Sequence, residues 1–299
     1  VDFCENSAEI QPQPQAVTNV KRIPYGLTEQ TYKERKEIKK LSRISAFSFL
    51  CLDFFASIMI YVVLYTLLAF GFSYNRAVNF IEDPYFSNFF QITVSSLMFI
   101  LPFTLIYKIF GYKISNIINF NLPKTKSWFP IVLIGVGFCS FANIATGIAS
   151  SFFEGFGINY EVDFGENPQG VLGITLSILA TAVVPALVEE FAFRGMILGS
   201  LRRFGDIPAI LVSSILFAVF HGNFVQIPFA LSVGIILGLI VVISGSIWTA
   251  IISHFLINAY AVIANELLND YAYQISILFY VLILVGVVCM IKLIIYVIK

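Results

Sequence analysis

Charged residues are scarce in this sequence of 299 residues, since Asp, Glu, Lys and Arg together make up only 12% of it. Soluble domains average roughly 25% charged residues, so this chain has too little charge to cover a water-exposed surface. Hydrophobic residues make up 58% of the chain, and its mean hydropathy is +0.87. Lipid is therefore the expected solvent for most of the chain. The formal net charge is zero, and no nucleic-acid partner is expected.

Cysteine is also rare: the chain has four, and no two of them form a Cys-x-x-Cys pair. Three of them, Cys51, Cys139 and Cys289, lie inside apolar runs, where a free cysteine behaves as a small hydrophobic side chain. A disulfide framework or a cysteine-based zinc site is therefore not expected. The His-Glu-x-x-His motif, by which many zinc proteases bind their metal, is absent as well.

Long apolar runs are what the sequence has in abundance. A helix needs about 20 apolar residues to cross a bilayer, so the runs predict an all-α, polytopic membrane protein with about eight transmembrane helices. The fifth and sixth runs are short, and such interrupted segments often line a cavity. In the sixth, Gly234 and Gly238 have the spacing of close helix packing. The predicted spans lie near residues 46–72, 86–110, 128–153, 170–200, 208–222, 227–244, 248–265 and 273–296.

The distribution of charge predicts the orientation, because cytoplasmic loops carry the excess of Lys and Arg. With the N-terminus inside, the outer loops hold one basic residue, Arg76. The inner basic residues are Lys21, Arg22, those of the 33–43 run, Lys108, Lys113, Lys124, Lys126, Arg202, Arg203, Lys292 and Lys299. We therefore predict a multi-pass cell-membrane protein with both termini in the cytoplasm. Residues 1–45 would form a cytosolic N-terminal tail and residues 46–299 the transmembrane helical domain.

The fourth predicted span carries Glu189, Glu190 and Arg194 within six positions. Charged groups inside a bilayer cost about 2.5–3.5 kcal/mol each and mark functional sites. Glu190 and Arg194 are four residues apart, so they share a helix face and are expected to pair. Glu189 lies about 100° around the helix, which leaves it free to act as a general base. Pro185 has no backbone N–H, which frees the carbonyl of Thr181 and predicts a kink beside Glu189.

Both histidines of the chain, His221 and His254, fall within or at the ends of late predicted spans. His254 and Asn258 are four residues apart and share a helix face. A single membrane histidine is often only a helix–helix hydrogen-bonding group, and the Glu–Arg cluster could by itself be a packing element. Two histidines, one Asn and two glutamates on three spans can instead supply a base, a partner that orients water and donors for an oxyanion.

Three short motifs carry a family resemblance: Glu-Glu-x-x-x-Arg at 189–194, Phe-x-x-x-His from Phe217 to His221, and His-x-x-x-Asn from His254 to Asn258. In this order on a polytopic chain, they resemble the CAAX protease and bacteriocin-processing family, or Abi family, which is related to type II CAAX prenyl endopeptidases. The resemblance covers roughly residues 128–265. It implies an intramembrane endopeptidase whose catalytic cavity opens to the cytosol.

The resemblance also implies a role for each matching residue. Glu189 would activate the attacking water, and His221 would position and polarise it. His254 and Asn258 would stabilise the oxyanion. Supporting positions would be held by Glu190, Arg194 and Phe217. The family is often described as metalloprotease, and zinc held by Glu189, His221 and His254 is the alternative. Because the chain lacks His-Glu-x-x-His, we expect catalysis without a metal or other cofactor.

The sequence leaves two other functions open. One is a non-catalytic membrane protein on the same scaffold, which gives immunity to a self-made bacteriocin or regulates a membrane partner. The other is a transporter with Glu189 and the histidines as proton relays, which the lack of a visible internal repeat disfavours. The presence of every motif position favours the endopeptidase. Its expected partners are the lipid bilayer and a peptide or protein substrate: a prenylated CAAX protein, a bacteriocin leader or an untagged membrane peptide.

Overall fold

The computed structural model describes residues 28–123, 128–157, 168 and 170–298 of the chain. Within these ranges all regular secondary structure is helical, which confirms the all-α prediction. The helices are α1 (Glu29–Ala69), α2 (Tyr74–Glu82), α3 (Pro84–Ile109), α4 (Trp128–Glu154), α5 (Gly170–Phe204), α6 (Asp206–Phe220), α7 (Ile227–Ser244) and α8 (Ile247–Ile298). Helix α5 is a continuous helical run that includes two π-helical stretches, Leu179–Val183 and Phe191–Leu198.

The chain divides into two compact units, residues Val1–Lys40 and Leu41–Lys299. The described part of the first unit begins α1, where Lys33 pairs with Glu29 at 2.6 Å on an exposed face. Exposed pairs of this kind contribute little stability. The predicted tail over residues 1–45 lies mostly outside the described residues, and its boundary stays a prediction. The candidate functional site belongs to the second unit.

Apolar helices confirm that the chain is a multi-pass membrane protein. Five helical segments are long and apolar enough to cross a bilayer: α3, α4, α5, α7 and residues Ile247–Ala264 of α8. Three shorter apolar stretches, Ile58–Ala69, α6 and Ile277–Lys292, lie where the sequence predicts the first, fifth and eighth spans. The apolar segments therefore fall at the predicted places, and the count of eight crossings stays a prediction.

Helix α8 differs from the prediction of two spans joined by an outer loop, because it is helical over 52 residues. It is not straight, since the rings of Tyr260 and Phe279 stack with their centroids 6.4 Å apart. In a straight helix, a rise of about 1.5 Å per residue would separate these two positions by about 28 Å. The chain therefore turns back between them, and the seventh and eighth predicted spans are the two arms of α8.

Both arms of α8 pack against α4 at small residues. In the first arm, Ser253 Oγ donates to the backbone carbonyl of Val132 at 3.4 Å. In the second arm, Gly286 lies against Gly137, and a Cβ added at Gly137 would come within 2.6 Å of the Gly286 Cα. Small residues at contact points let membrane helices approach closely, so these positions determine how near α4 lies to α8.

Helix α7 packs closely on α6 through the two glycines that the sequence analysis identified. A Cβ added at Gly234 would lie 2.9 Å from the Ser214 Cβ, and one at Gly238 would lie 3.1 Å from a methyl carbon of Ile210. This confirms the predicted close helix packing. At this point of α7, the backbone carbonyl of Gly234 accepts a hydrogen bond from Arg194 on α5.

Loops that the sequence places in the cytoplasm meet at one end of the bundle. Asn119 Nδ2 donates to the carbonyl of Gly245 at 2.7 Å. Arg202 Nη2 donates to the carbonyl of Val242 at 3.3 Å. The loops after α3 and α7 and the C-terminal ends of α5 and α7 are therefore neighbours. We call this the basic end of the bundle, where Lys108, Lys113, Arg202 and Arg203 lie.

Candidate active site

A cavity of about 190 Å³ lies inside the bundle, between α3, α5, α6, α7 and α8. Glu189 from α5, His221 after α6, and His254 and Asn258 from α8 all line it. The structure therefore brings the four candidate catalytic residues from three parts of the chain to one cavity. The remaining lining residues are Gln91, Thr181, Pro185, Phe217, Phe229, Val233 and Ile257.

Arg194 and Glu190 form a buried ion pair behind the wall of this cavity. Arg194 Nη1 donates to Glu190 Oε1 at 2.9 Å, and both side chains are 0% exposed. Arg194 Nη2 also donates to the carbonyl of Gly234 at 3.3 Å, and the guanidinium lies 4.3 Å from the centre of the Phe217 ring. The predicted pairing is confirmed. A buried charge persists in a protein when it is paired and hydrogen-bonded in this way.

The two adjacent glutamates have different surroundings. The Glu189 side chain lines the cavity and is 14% exposed, whereas Glu190 lies outside the cavity lining. Glu190 Oε1 accepts hydrogen bonds from Arg194 at 2.9 Å and from His254 at 2.8 Å. Glu189 is therefore the carboxylate that a molecule in the cavity can reach, as the helix geometry predicted, and Glu190 is enclosed by protein groups.

His254 lies between the two glutamates and is almost fully buried. Its Nδ1 is 2.8 Å from Glu190 Oε1, and its Nε2 is 4.0 Å from Glu189 Oε2. Because an ionised carboxylate can only accept, Nδ1 carries the hydrogen of the contact with Glu190. Glu190 thereby fixes the orientation of the ring and directs the other nitrogen toward Glu189. A carboxylate that orients a functional histidine in this way recurs in many enzymes.

His221 is held by its own helix. Its Nδ1 lies 2.8 Å from the backbone carbonyl of Phe217, one turn earlier on α6. A carbonyl oxygen only accepts, so Nδ1 donates and Nε2 carries the lone pair of the neutral ring. The Phe217 ring lies edge-on to both histidines, with centroids 4.8 Å from His221 and 6.0 Å from His254. Phe217 therefore packs between the two imidazoles and the Arg194 guanidinium.

Helix α5 is irregular beside the site, where the sequence predicts a kink at Pro185. The preceding stretch, Leu179–Val183, is a π-helix, a rare form that often marks functional sites. Pro185 has no N–H to donate to the carbonyl of Thr181, and Asn258 Nδ2 donates to that carbonyl at 3.0 Å instead. One amide hydrogen of Asn258 is thus already used. The second hydrogen remains for the oxyanion role that the resemblance implies.

Gln91 is a cavity residue that the sequence analysis missed. Its Nε2 donates to the carbonyl of Ala180 at 3.3 Å, one residue before the carbonyl that Asn258 satisfies. Asn88, one turn earlier on α3, donates to Ser177 Oγ at 3.2 Å. The available signal was a pair of amides three residues apart at the start of the second predicted span. It was weak, because such residues are common near the ends of membrane helices.

Glu189, His221 and His254 are the alternative zinc ligands. Among the described residues, no group of three His, Cys, Asp or Glu side chains is placed to hold a metal ion. This includes Glu189, His221 and His254, so the residues do not fit the implied metal in this arrangement.

Residues 171–260 match the protein family described as type II CAAX prenyl endopeptidase Rce1-like. The chain is 29% identical over 140 residues to the putative membrane peptidase YdiL of Bacillus subtilis (strain 168), which covers 44% of this chain and 56% of that protein. It is 35% identical over 106 residues to the membrane-embedded CAAX protease MroQ of Staphylococcus aureus (strain USA300), which covers 33% of this chain and 42% of that protein.

The chain spans about half the length of these curated relatives, and no solved structure matches it. The matched range 171–260 contains Glu189, His221, His254 and Asn258, whereas Gln91 lies outside it. It also lies within the residues 128–265 from which the resemblance was drawn. These likenesses support a membrane protease type of function.

Proposed function

We propose that this chain, which belongs to the CAAX protease and bacteriocin-processing family, is an intramembrane endopeptidase that hydrolyses a peptide bond with a water activated by Glu189. The observation that carries the proposal is the cavity in which this carboxylate meets two histidines and an asparagine. Hydrolysis inside a membrane needs a base, a water site and an oxyanion donor at one place. The cavity offers a residue suited to each of these.

Glu189 and His254 are the groups that would hold the water. Their 4.0 Å separation is too long for a direct hydrogen bond and short enough for one water to contact both. Glu189 takes a proton from this water, and the resulting hydroxide forms a bond to the carbonyl carbon of the scissile peptide. When the C–N bond breaks, the proton passes from Glu189 to the leaving amine. His221 Nε2 is available to orient the same water.

The negative charge that forms on the carbonyl oxygen requires hydrogen donors. Asn258 can supply the amide hydrogen that the Thr181 carbonyl does not use. His254, whose Nε2 faces Glu189, is the second donor that the resemblance implies. Removing one such donor typically costs about 10²–10³ in turnover. Glu190 acts through His254 and is a positioning residue.

The substrate would be a peptide or protein that reaches the cavity from the membrane or its surface. One relative is named a putative membrane peptidase and the other a membrane-embedded CAAX protease. A prenylated CAAX protein, a bacteriocin leader and an untagged membrane peptide are all candidates. The non-catalytic alternative gains no support from the site, and neither does the transporter. We also propose that the protein lies in the cell membrane with both termini in the cytoplasm.

The test is a comparison of membrane peptides, by mass spectrometry, from cells that carry the wild type or the Glu189→Gln variant at equal protein level. We expect at least one peptide product that is present with the wild type and lost with Glu189→Gln. The control is Glu154→Gln, an exposed glutamate at the end of α4 outside the cavity, which should keep the product. Identical peptide sets from all three strains would refute the proposed protease activity.

A further inference from the structure

The residues that line the candidate catalytic cavity are of two kinds. Some of them are polar and can act on a peptide bond, whereas five are wholly apolar. The apolar residues are Pro185, Phe217, Phe229, Val233 and Ile257. Pro185 and Phe217 adjoin groups of the proposed reaction, since they lie one helical turn before Glu189 and His221. The other three have no part in the proposed hydrolysis.

Helix α7 contributes only apolar side chains to the cavity. Phe229 and Val233 are four residues apart, so they share one helix face. Val233 is 3% exposed, and Phe229 is half-buried. On α8, the buried Ile257 lines the cavity and directly precedes Asn258 in the sequence. The cavity therefore has an apolar wall, which we define as Phe229, Val233 and Ile257. Such a wall favours an apolar group over a polar one.

The α7 part of this wall is held by the same side chain that holds Glu190. Arg194 Nη2 donates to the carbonyl of Gly234, the residue after Val233, at 3.3 Å. Arg194 Nη1 donates to Glu190 at 2.9 Å, and Glu190 orients His254. One guanidinium thus positions both the histidine and the apolar wall. The wall therefore keeps a fixed place relative to the groups that act on the peptide bond.

The size of the cavity limits what it can enclose. Its volume of about 190 Å³ is below the roughly 300–1,000 Å³ of pockets that enclose a drug-sized ligand. A water molecule takes up about 30 Å³, and the attacking water must be present together with the peptide carbonyl. The remaining space accommodates one compact side chain. Only a residue beside the scissile bond is then enclosed, and the rest of the peptide lies outside the cavity.

We propose that Phe229, Val233 and Ile257 form a side-chain pocket that selects a residue beside the scissile bond, and that Val233 limits the size of this residue. The substrate class is then a peptide with a compact apolar residue, such as Ala or Val, on one side of the cleaved bond. An aromatic side chain would not fit beside the water and the carbonyl. A charged one would be buried without a partner, which is costly. This inference deepens the proposed function and rests on it.

The experiment starts from a product that forms with the wild type and is lost with Glu189→Gln. In the precursor of this product, each of the two residues beside the cleaved bond is replaced in turn by Ala, Val, Phe or Asp. The value of kcat/KM is then measured with purified protein. At one of the two positions we expect Ala and Val to be favoured over Phe by about tenfold or more, because small differences in an apolar pocket change kcat/KM about 10–200-fold. Asp should not be accepted there.

Two variants of the wall should change this preference in opposite directions. Val233→Ala enlarges the pocket and should raise the Phe-to-Val ratio of kcat/KM about tenfold. Val233→Leu narrows it and should favour Ala over Val. The control is Val242→Ala on the same helix outside the cavity, which should keep the wild-type preference. A ratio between two peptides does not change when a variant merely loses folded protein.

The pocket would be overturned, with the protease activity intact, by a wild type that cleaves the Phe and Asp peptides as fast as the Val peptide. The same conclusion would follow if Val233→Ala kept the wild-type preference, or if Val242→Ala changed it equally. Failure of the proposed function is visible separately, since Glu189→Gln would then lose no product. That outcome would overturn the protease and the pocket together.

Discussion

Replacing each of the two adjacent glutamates by glutamine should separate catalysis from stability. Glu190 Oε1 accepts from Arg194 and His254, and all three side chains are nearly or fully buried. Glu190→Gln keeps the shape but removes the charge that compensates Arg194. Deleting one partner of a buried ion pair costs about 3–5 kcal/mol. Since native proteins are stable by only about 5–15 kcal/mol, this variant should lose a large part of its folded yield.

Glu189→Gln should behave in the opposite way. This side chain faces the cavity and makes no ion pair shorter than the 4.0 Å contact with His254, so its neutralisation leaves no buried charge uncompensated. The protein should fold normally. Its turnover should fall about 10²-fold or more, because the base that takes the proton from water is gone.

The assay is thermal unfolding of the detergent-purified proteins together with product formation. Glu190→Gln combined with Arg194→Leu supplies the control, because removing both charges should restore part of the stability that the single change loses. Our assignment of roles would be reversed if Glu190→Gln were fully folded but inactive while Glu189→Gln stayed active. A double variant no more stable than Glu190→Gln would show that the lost charge pair is not the cause.

Four further predictions follow from the same contacts. Asn258→Ala should lower turnover about 10²–10³-fold with unchanged metal content. If the Asn258→Ala variant kept its activity, the oxyanion role of Asn258 would be refuted. Elemental analysis of active protein should show no stoichiometric metal; one zinc per chain, absent from the two His→Ala variants, would refute the metal-free mechanism. Gln91→Ala should raise KM with kcat little changed, because the Gln91 amide lines the cavity. The control, Asn88→Ala, should leave both constants unchanged. Equal effects of the two variants would exclude a role of Gln91 in substrate binding. Gly234→Ala should lower the free energy of unfolding by about 1–3 kcal/mol, because its Cβ would lie 2.9 Å from Ser214. The control, Gly147→Ala, should leave it unchanged, because a Cβ there would meet nothing within 4 Å. Equal melting temperatures of the two variants would refute close packing as the cause.

Local spacing determined the parts of the site that one helix contains. Glu190 and Arg194 pair because four residues bring side chains onto one helix face, and this pair is present at 2.9 Å. Pro185 predicted a kink in α5 because it lacks an N–H; a π-helical stretch precedes it, and the kink itself stays a prediction. The membrane class followed from composition alone, since a chain with 12% charged residues cannot cover a soluble surface.

Only the tertiary structure decided which separate segments meet. His254 contacts Glu190 across 64 residues of sequence, and Gln91 contacts Ala180 across 89. No periodic pattern encodes such contacts, because they depend on how helices pack in three dimensions. The sequence predicted a loop between the seventh and eighth spans because the residues there are polar. The structure has instead one helical run, α8, which turns back on itself.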